Sequence, residues 1–315
     1  MAWKLALTLA ALCSASAVGS AENGVDAASA NDDPVVEVQL TRDRYERLTV
    51  PVTIDGKGPY RFFIDTGAQA TVVTEQITRD LGLTPFDRAT LVAMGSSRVV
   101  DLIAIDRLQF ADRTLSGLTS PLLQRQHIGA DGILGLDTLQ DMRVLIDFNT
   151  DRMSVTDARS SGPVEGYEIV VRARARLGQM IITNARLDGV RTAVIIDTGA
   201  QYSVGNPALL ARLRTRAESL VVTKDVHGTE ITSDLAYVES LAIGPMRLSR
   251  VPISFNDSPA LHALGLGDEP ALILGMQNLR MFERVAIDFA ARRILFDVPD
   301  DVMEEATKGR RVGLI

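Results

Sequence analysis

Past Pro34 the apolar positions fall in short β-like runs, among them VVEVQL, LTVPVTI and YRFFI, each broken by turn residues. DGKGP at Asp55–Pro59 separates the last two and predicts a hairpin turn, and ARLDGVRTAVIID carries a matching turn at Asp188–Gly189. The two halves then run in parallel. TEQITRDLGL (Thr74–Leu83) and NPALLARLR (Asn206–Arg214) predict short helices, the second with Asn206 as N-cap and Pro207 at the first helical position. Hairpins follow, turning near Met94–Ser97 and near His227–Thr229. ADGILGLDTLQDM (Ala130–Met142) is echoed by PALILGMQNLRMF (Pro270–Phe282), and VLIDF (Val144–Phe148) by VAIDF (Val285–Phe289). So long a series of matching features in one order predicts a duplicated unit of about 130 residues, too long a period for a solenoid. The expected architecture is mostly β: two lobes, each a small closed barrel-like unit with short helices, related by a pseudo-two-fold axis with a cleft between them.

The boundaries follow from texture. Lys4, the apolar run Leu5–Leu12 and the small residues Ala15–Ser16–Ala17 and Gly19–Ser20–Ala21 have the order of a secretory signal, expected over 1–21. An unpatterned leader is expected over 22–33, a first lobe over 34–158, a polar linker over 159–168, a second lobe over 169–299 and a tail over 300–315. Cys13 is the single cysteine, so a mature chain without the signal has no disulfide and no thiol chemistry. These features point to an exported protein, secreted to a bacterial periplasm, with no stable membrane insertion once the signal is removed. Composition adds exclusions. The chain is 46% hydrophobic with net charge −7 and shows no basic stripe, which argues against nucleic acid as a partner. No HExxH, Cys/His cluster or phosphate-binding Gly-rich loop occurs, so no metal or cofactor is expected.

The candidate chemistry lies in a loop that occurs twice. DTGAQ begins at Asp65 after Phe62–Phe63–Ile64 and again at Asp197 after Val194–Ile195–Ile196. An aspartate ending a buried apolar strand carries a costly charge unless that charge is shared or hydrogen-bonded. Gly67 and Gly199 let the chain turn at little steric cost and leave the backbone N–H open to approach, and the hydroxyls of Thr66 and Thr198 can bond backbone and stiffen the loop. Ala68 and Ala200 complete each loop. One copy would be an ordinary turn. Two copies in duplicated lobes can meet across a pseudo-two-fold axis, where two carboxyls share one proton. Such a pair can activate water with its charged member and hydrogen-bond a carbonyl with the other, hydrolysing an amide without metal or covalent intermediate. Asp147 and Asp288, in LIDF and AIDF, are read as structural. Of His127, His227 and His262, His227 falls on a hairpin tip and is expected to be solvated.

DTGA after apolar residues, with Ile133–Leu134–Gly135 and Ile273–Leu274–Gly275 downstream, resembles the hallmark loops of aspartic proteases. The short lobes and DGILGLD resemble the retropepsin-like branch, in particular bacterial periplasmic proteins with two such units fused in one chain. The resemblance covers about Pro34 to Pro299. It implies that Asp65 and Asp197 are the catalytic dyad and that Thr66 and Thr198 grip the opposite loops. It implies that Gly135 and Gly275 thread beside those loops, and that Met94, Gly95 and Ser96 with His227, Gly228 and Thr229 form substrate-binding flaps. Neither flap carries the tyrosine of pepsin-like flaps. The implied function is an aspartic endopeptidase, a monomer acting on protein or peptide substrates. The alternative is an inactive module that keeps the fold and binds peptides.

Overall fold

The computed structural model describes residues 6–8, 41–42, 48–111, 113–158, 167 and 169–297. The expected leader and tail, nearly all of the linker and most of the signal segment lie outside these residues. Within the signal segment, Ala6–Thr8 form a strand parallel to Pro85–Val92.

Two six-stranded rings make up the bulk of the chain. In the first, Leu48–Ile54, Lys57–Ile64, Gly132–Leu134, Val72–Thr74, Arg113–Leu123 and Ser97–Phe110 pair in that order. The ring closes where Thr53 and Ile54 meet Gln109 and Leu108. In the second, the order is Gln179–Leu187, Val190–Ile196, Ala271–Leu274, Val204–Gly205, Met246–Phe255 and Glu230–Ile243, closing where Arg186 and Leu187 meet Ala242 and Leu241. The first strand shows why the pattern works: Val50, Val52 and Ile54 point inward and are buried, while Pro51 is exposed and Thr53 only half-buried. The loop-bearing strands instead lie beside parallel neighbours deep in each barrel, Phe62–Ile64 along Gly132–Leu134 and Ala193–Ile196 along Ala271–Leu274. Being covered on both faces, they read as unbroken apolar runs.

Both Asp-Gly turns form as the sequence predicts. Asp55 and Gly56 have φ of 49° and 78°, Asp188 and Gly189 of 45° and 81°, the doubly positive pair that matches a two-residue hairpin to strand twist. Asn206 caps its helix by accepting from the Leu209 amide at 2.9 Å, with Pro207 in the first turn. That helix is only Pro207–Leu210, shorter than expected, because the following residues turn through tighter bonds such as Arg212 N–H to Leu209 C=O. The helix of the first half spans Glu75–Leu81 and stops at left-handed Gly82.

A third sheet joins the halves. Arg152–Asp157, Met142–Asp147, Arg284–Asp288, Arg293–Asp297 and Ile169–Arg172 pair in that order. At its centre Val144 faces Ile287 and Ile146 faces Val285. In the repeat, Val144 corresponds to Val285 and Ile146 to Ile287, so exchanging the halves leaves the pairing unchanged. That is the signature of a two-fold axis through this sheet. Asp147 and Asp288 serve it structurally, as expected: Asp147 Oδ1 accepts the Asn149 and Thr150 amides of a hairpin turn, and buried Asp288 pairs with Arg143 at 3.0 Å.

Candidate active site

Each DTG loop leaves its barrel at the end of a buried strand, and the axis brings both loops to one point. Asp65 N–H donates to Leu134 C=O, and Asp197 N–H to Leu274 C=O, so each aspartate is pinned to the parallel strand beside it. The side chains then close small rings with their own loops. Asp65 Oδ1 accepts from the Gly67 and Ala68 amides at 2.8 and 3.0 Å. Asp197 Oδ1 accepts from Gly199 and Ala200 at 2.8 and 3.1 Å. Both aspartates are wholly buried.

The loops cross so closely that each glycine lies against the other loop's aspartate. A Cβ added at Gly67 would overlap the Asp197 carboxyl, and one at Gly199 would overlap that of Asp65, in each case nearest Oδ2. Glycine is required here by the approach of a carboxyl group rather than by backbone angle.

Thr66 and Thr198 lock the crossing. Thr66 Oγ1 donates to Ile196 C=O at 2.9 Å and accepts the Thr198 amide at 3.1 Å. Thr198 Oγ1 donates to Ile64 C=O at 2.7 Å and accepts the Thr66 amide at 3.1 Å. Each hydroxyl uses its single proton and one lone pair, and every partner lies in the opposite half. The Gly135 and Gly275 segments brace the loops from behind. The Gly135 amide donates to Thr71 Oγ1 and that of Gly275 to Ser203 Oγ, while the Leu136 and Met276 amides donate to the Ala68 and Ala200 carbonyls.

The carboxyl of Asp197 is held well above the ordinary range, first by burial, then by the charge of Asp65 and the hydrogen bond shared with it. The amides of Gly199 and Ala200 oppose this. A carboxyl raised in the folded state binds protons more tightly there than in the unfolded chain. Its contribution to stability is therefore complete below about pH 4, the unfolded value, and is lost as pH climbs through the folded value. Asp137, raised mainly by its own burial, acts with the same sign. Urea unfolding of the wild type and of Asp197→Asn from acid to neutral pH isolates the dyad. The two midpoints are expected to agree at acid pH, with the variant becoming the more stable as pH rises.

The predicted flaps are hairpins whose tips meet. Pro85–Val92 and Ser97–Phe110 turn through Ala93 to Ser96, and Ser219–Lys224 and Glu230–Ile243 turn through Asp225 to Thr229. Ser96 Oγ donates to Asp225 Oδ2 at 2.6 Å, and Arg98 Nη2 to Thr229 Oγ1 at 2.9 Å. Met94, fully buried, packs in the apolar cluster of the second half with Ile181, Ala200 and Ile231. Val226, also fully buried, packs in that of the first half with Ala68, Leu91 and Ile128. Each tip thus packs in an apolar cluster built largely by the opposite half.

One expectation is overturned. His227 is buried rather than solvated, its Nε2 donating to Leu91 C=O at 3.3 Å, and that burial lowers its pKa. Gly95 lies against Ile231 and Gly228 against His127, where a larger residue would not fit.

Two residues escaped the sequence reading. Val226 stands 132 positions after Met94, the same offset as Asp197 from Asp65, so the repeat itself could have flagged the pair. Gln179 carried no such signal. It is fully buried, and its Nε2 donates to the Gly67 carbonyl at 2.6 Å, tying the first catalytic-loop candidate to the second half.

Among the described residues no cluster of His, Cys, Asp and Glu is arranged to hold a metal ion, and no helix is long and apolar enough to cross a membrane. The sequence model of the aspartyl protease family matches twice, at residues 50–138 and 183–277. Among solved structures, the aspartic proteinase from Irpex lacteus superposes with a TM-score of 0.50 at 13% identity, covering 82% of this chain and 95% of that one. A retropepsin-like aspartic protease from Rickettsia conorii matches at 21% identity and TM-score 0.30, covering 41% of this chain and 88% of that one. No curated protein matches. With one match in each half, together spanning more than half of its length, and with the bilobal fold of the Irpex enzyme, this chain belongs to the aspartyl protease family.

Proposed function

We propose that the protein is an aspartic endopeptidase, acting outside the cytoplasm, in which Asp65 and Asp197 work as one titrating pair. The observation that carries this reading is the symmetric crossing of two intact loops. Oδ1 of each aspartate is taken up by two amides, and Oδ2 is turned toward the opposite loop. Two buried carboxyls so close hold a single proton between them over a wide pH range. With a peptide in the cleft, the ionised member takes a proton from water while the oxygen of that water bonds to the peptide carbonyl carbon. The protonated member hydrogen-bonds the carbonyl oxygen as it gains negative charge. The tetrahedral species then collapses: the C–N bond breaks, its electron pair stays on nitrogen, and a proton from the dyad completes the amine. The two macroscopic pKa values belong to the pair, so acid and base roles are shared between the residues.

The reading is tested with a peptide mimic carrying a hydroxyl-bearing carbon where the attacked carbonyl would be. It imitates the tetrahedral species and is expected to bind the wild type with an affinity at least ~100-fold above that of the matching peptide. The Asp65→Asn and Asp197→Asn proteins are expected to lose that preference. Equal binding of mimic and peptide by the wild type would remove the case for an enzyme.

A further inference from the structure

The second lobe carries a concave site outside the dyad, of about 700 Å³, whose charge runs against that of the whole chain. Arg174, Arg176, Arg191 and Arg212 line it, with Glu269 the single acidic side chain among the lining residues, while the protein as a whole carries net charge −7. All four arginines are exposed. None is in an ion pair with a described residue. Two of them donate to backbone carbonyls: Arg191 Nε to Thr183 C=O at 3.0 Å and Arg176 Nη1 to Gly265 C=O at 3.4 Å. Carbonyl bonds aim a guanidinium without neutralising it, leaving donors for a carboxylate. Ile181, Ala193, Leu266 and Pro270 supply apolar wall. The wall is rigid on one side, because Asn206 Nδ2 donates to the carbonyls of Leu266, Gly267 and Glu269.

Part of its wall belongs to the strand Gln179–Leu187, which leads away from the candidate active site. Arg176 pairs across the strands with Gln179, the residue that holds the Gly67 carbonyl of the first DTG loop. Ile181 and Thr183 follow Gln179 on the same strand, about 7 and 14 Å further along. Ile181 and Leu266 also belong to the apolar cluster that contains Ala200 of the second loop. A polypeptide that ran from the dyad along this strand would meet the arginines within a few residues of the bond being cleaved.

We infer that this pocket is an extended subsite for acidic residues, which selects protein substrates carrying Asp or Glu a few positions from the cleaved bond. The inference rests on the endopeptidase reading and names its substrate class. Planar guanidinium forks match carboxylates in a bidentate manner, and four in one concavity favour several acidic residues over one.

The test uses two sets of peptides with a common cleaved core, bearing a Glu-Asp run or a Gln-Asn run three to six residues away on either side. The wild type at low salt is expected to cleave the acidic member on one side roughly tenfold better in kcat/KM, through KM, with the advantage falling as salt screens it. The Arg174→Gln/Arg212→Gln protein is expected to bring the acidic peptide to the value of its neutral partner. An advantage that persists in that protein, or no advantage in the wild type, overturns the inference. Fluorescence anisotropy of the acidic peptide with Asp197→Asn protein separates this failure from failure of the endopeptidase reading. Binding there that is lost on adding the two arginine substitutions supports the subsite even if no peptide is cleaved. Displacement by inorganic phosphate beyond that by chloride at equal ionic strength would mark a site for small anions and overturn it.

Discussion

Asp65→Asn and Asp197→Asn are each expected to lower kcat for peptide cleavage by roughly 10⁴-fold or more, with the double variant little worse than either single one. In the proposed mechanism the working unit is the pair. Asparagine can neither take a proton from water nor share one with its neighbour, so losing one member idles the other. The wild-type rate should be bell-shaped in pH, because the working state holds one proton on two carboxyls and is lost on either side of that state. Folding should survive. The asparagine oxygen can still accept from Gly67 and Ala68, or from Gly199 and Ala200, and the loop keeps its internal bonds. Steady-state cleavage of a peptide mixture, read beside a thermal melt, checks both halves of the expectation. Cleavage by the double variant that a chelator abolishes would replace the aspartic mechanism by a metal-dependent one.

The largest stability effect is expected at the threonines. Thr66→Val keeps the side-chain shape but removes an oxygen that donates to Ile196 C=O and accepts from Thr198 N–H, both buried and both in the other half. A buried donor and a buried acceptor left unpaired each cost about 1–3 kcal/mol, so each single variant should lose about 2–6 kcal/mol against urea. Thr198→Val should match it, since it strands Ile64 C=O and Thr66 N–H in the same way. The double variant should lose less than the sum, because the two hydroxyls hold one shared junction. A loss below about 0.5 kcal/mol in both singles would mean that the junction is held by the surrounding packing instead.

How much of this was legible beforehand depends on the range of the interaction. The Asp55–Gly56 and Asp188–Gly189 turns, the Asn206–Pro207 helix start and the inward alternation of Val50, Val52 and Ile54 are local, and the sequence carries them directly. The meeting of Asp65 with Asp197 is not local, yet it could be read, because duplication turns a long-range contact into a visible repeat. The strand order was not legible. Val72–Thr74 and Val204–Gly205 are too short to announce themselves as strands, and each gains its place only from longer neighbours. Asn206–Arg214 reads as one helix, but only Pro207–Leu210 is helical, because Arg212 and Leu213 bond back three residues. The burial of His227 and Gln179 had no local sign at all. Both are polar residues whose partners, Leu91 and Gly67, lie in the other half, and no periodicity marks a hydrogen bond of that kind.

The flap tips show what carrying both lobes in one chain means for the symmetry. Met94 and Val226 occupy matching places in the repeat, but each is fitted to a recess built by the other half's sequence. In an assembly of two identical chains, one residue would have to suit both recesses at once. Within a single chain the two positions can drift apart, provided each keeps pace with the lobe that receives it. The halves are therefore no longer interchangeable copies. They are complementary parts, and a substitution at either tip is judged by residues encoded in the other half of the gene.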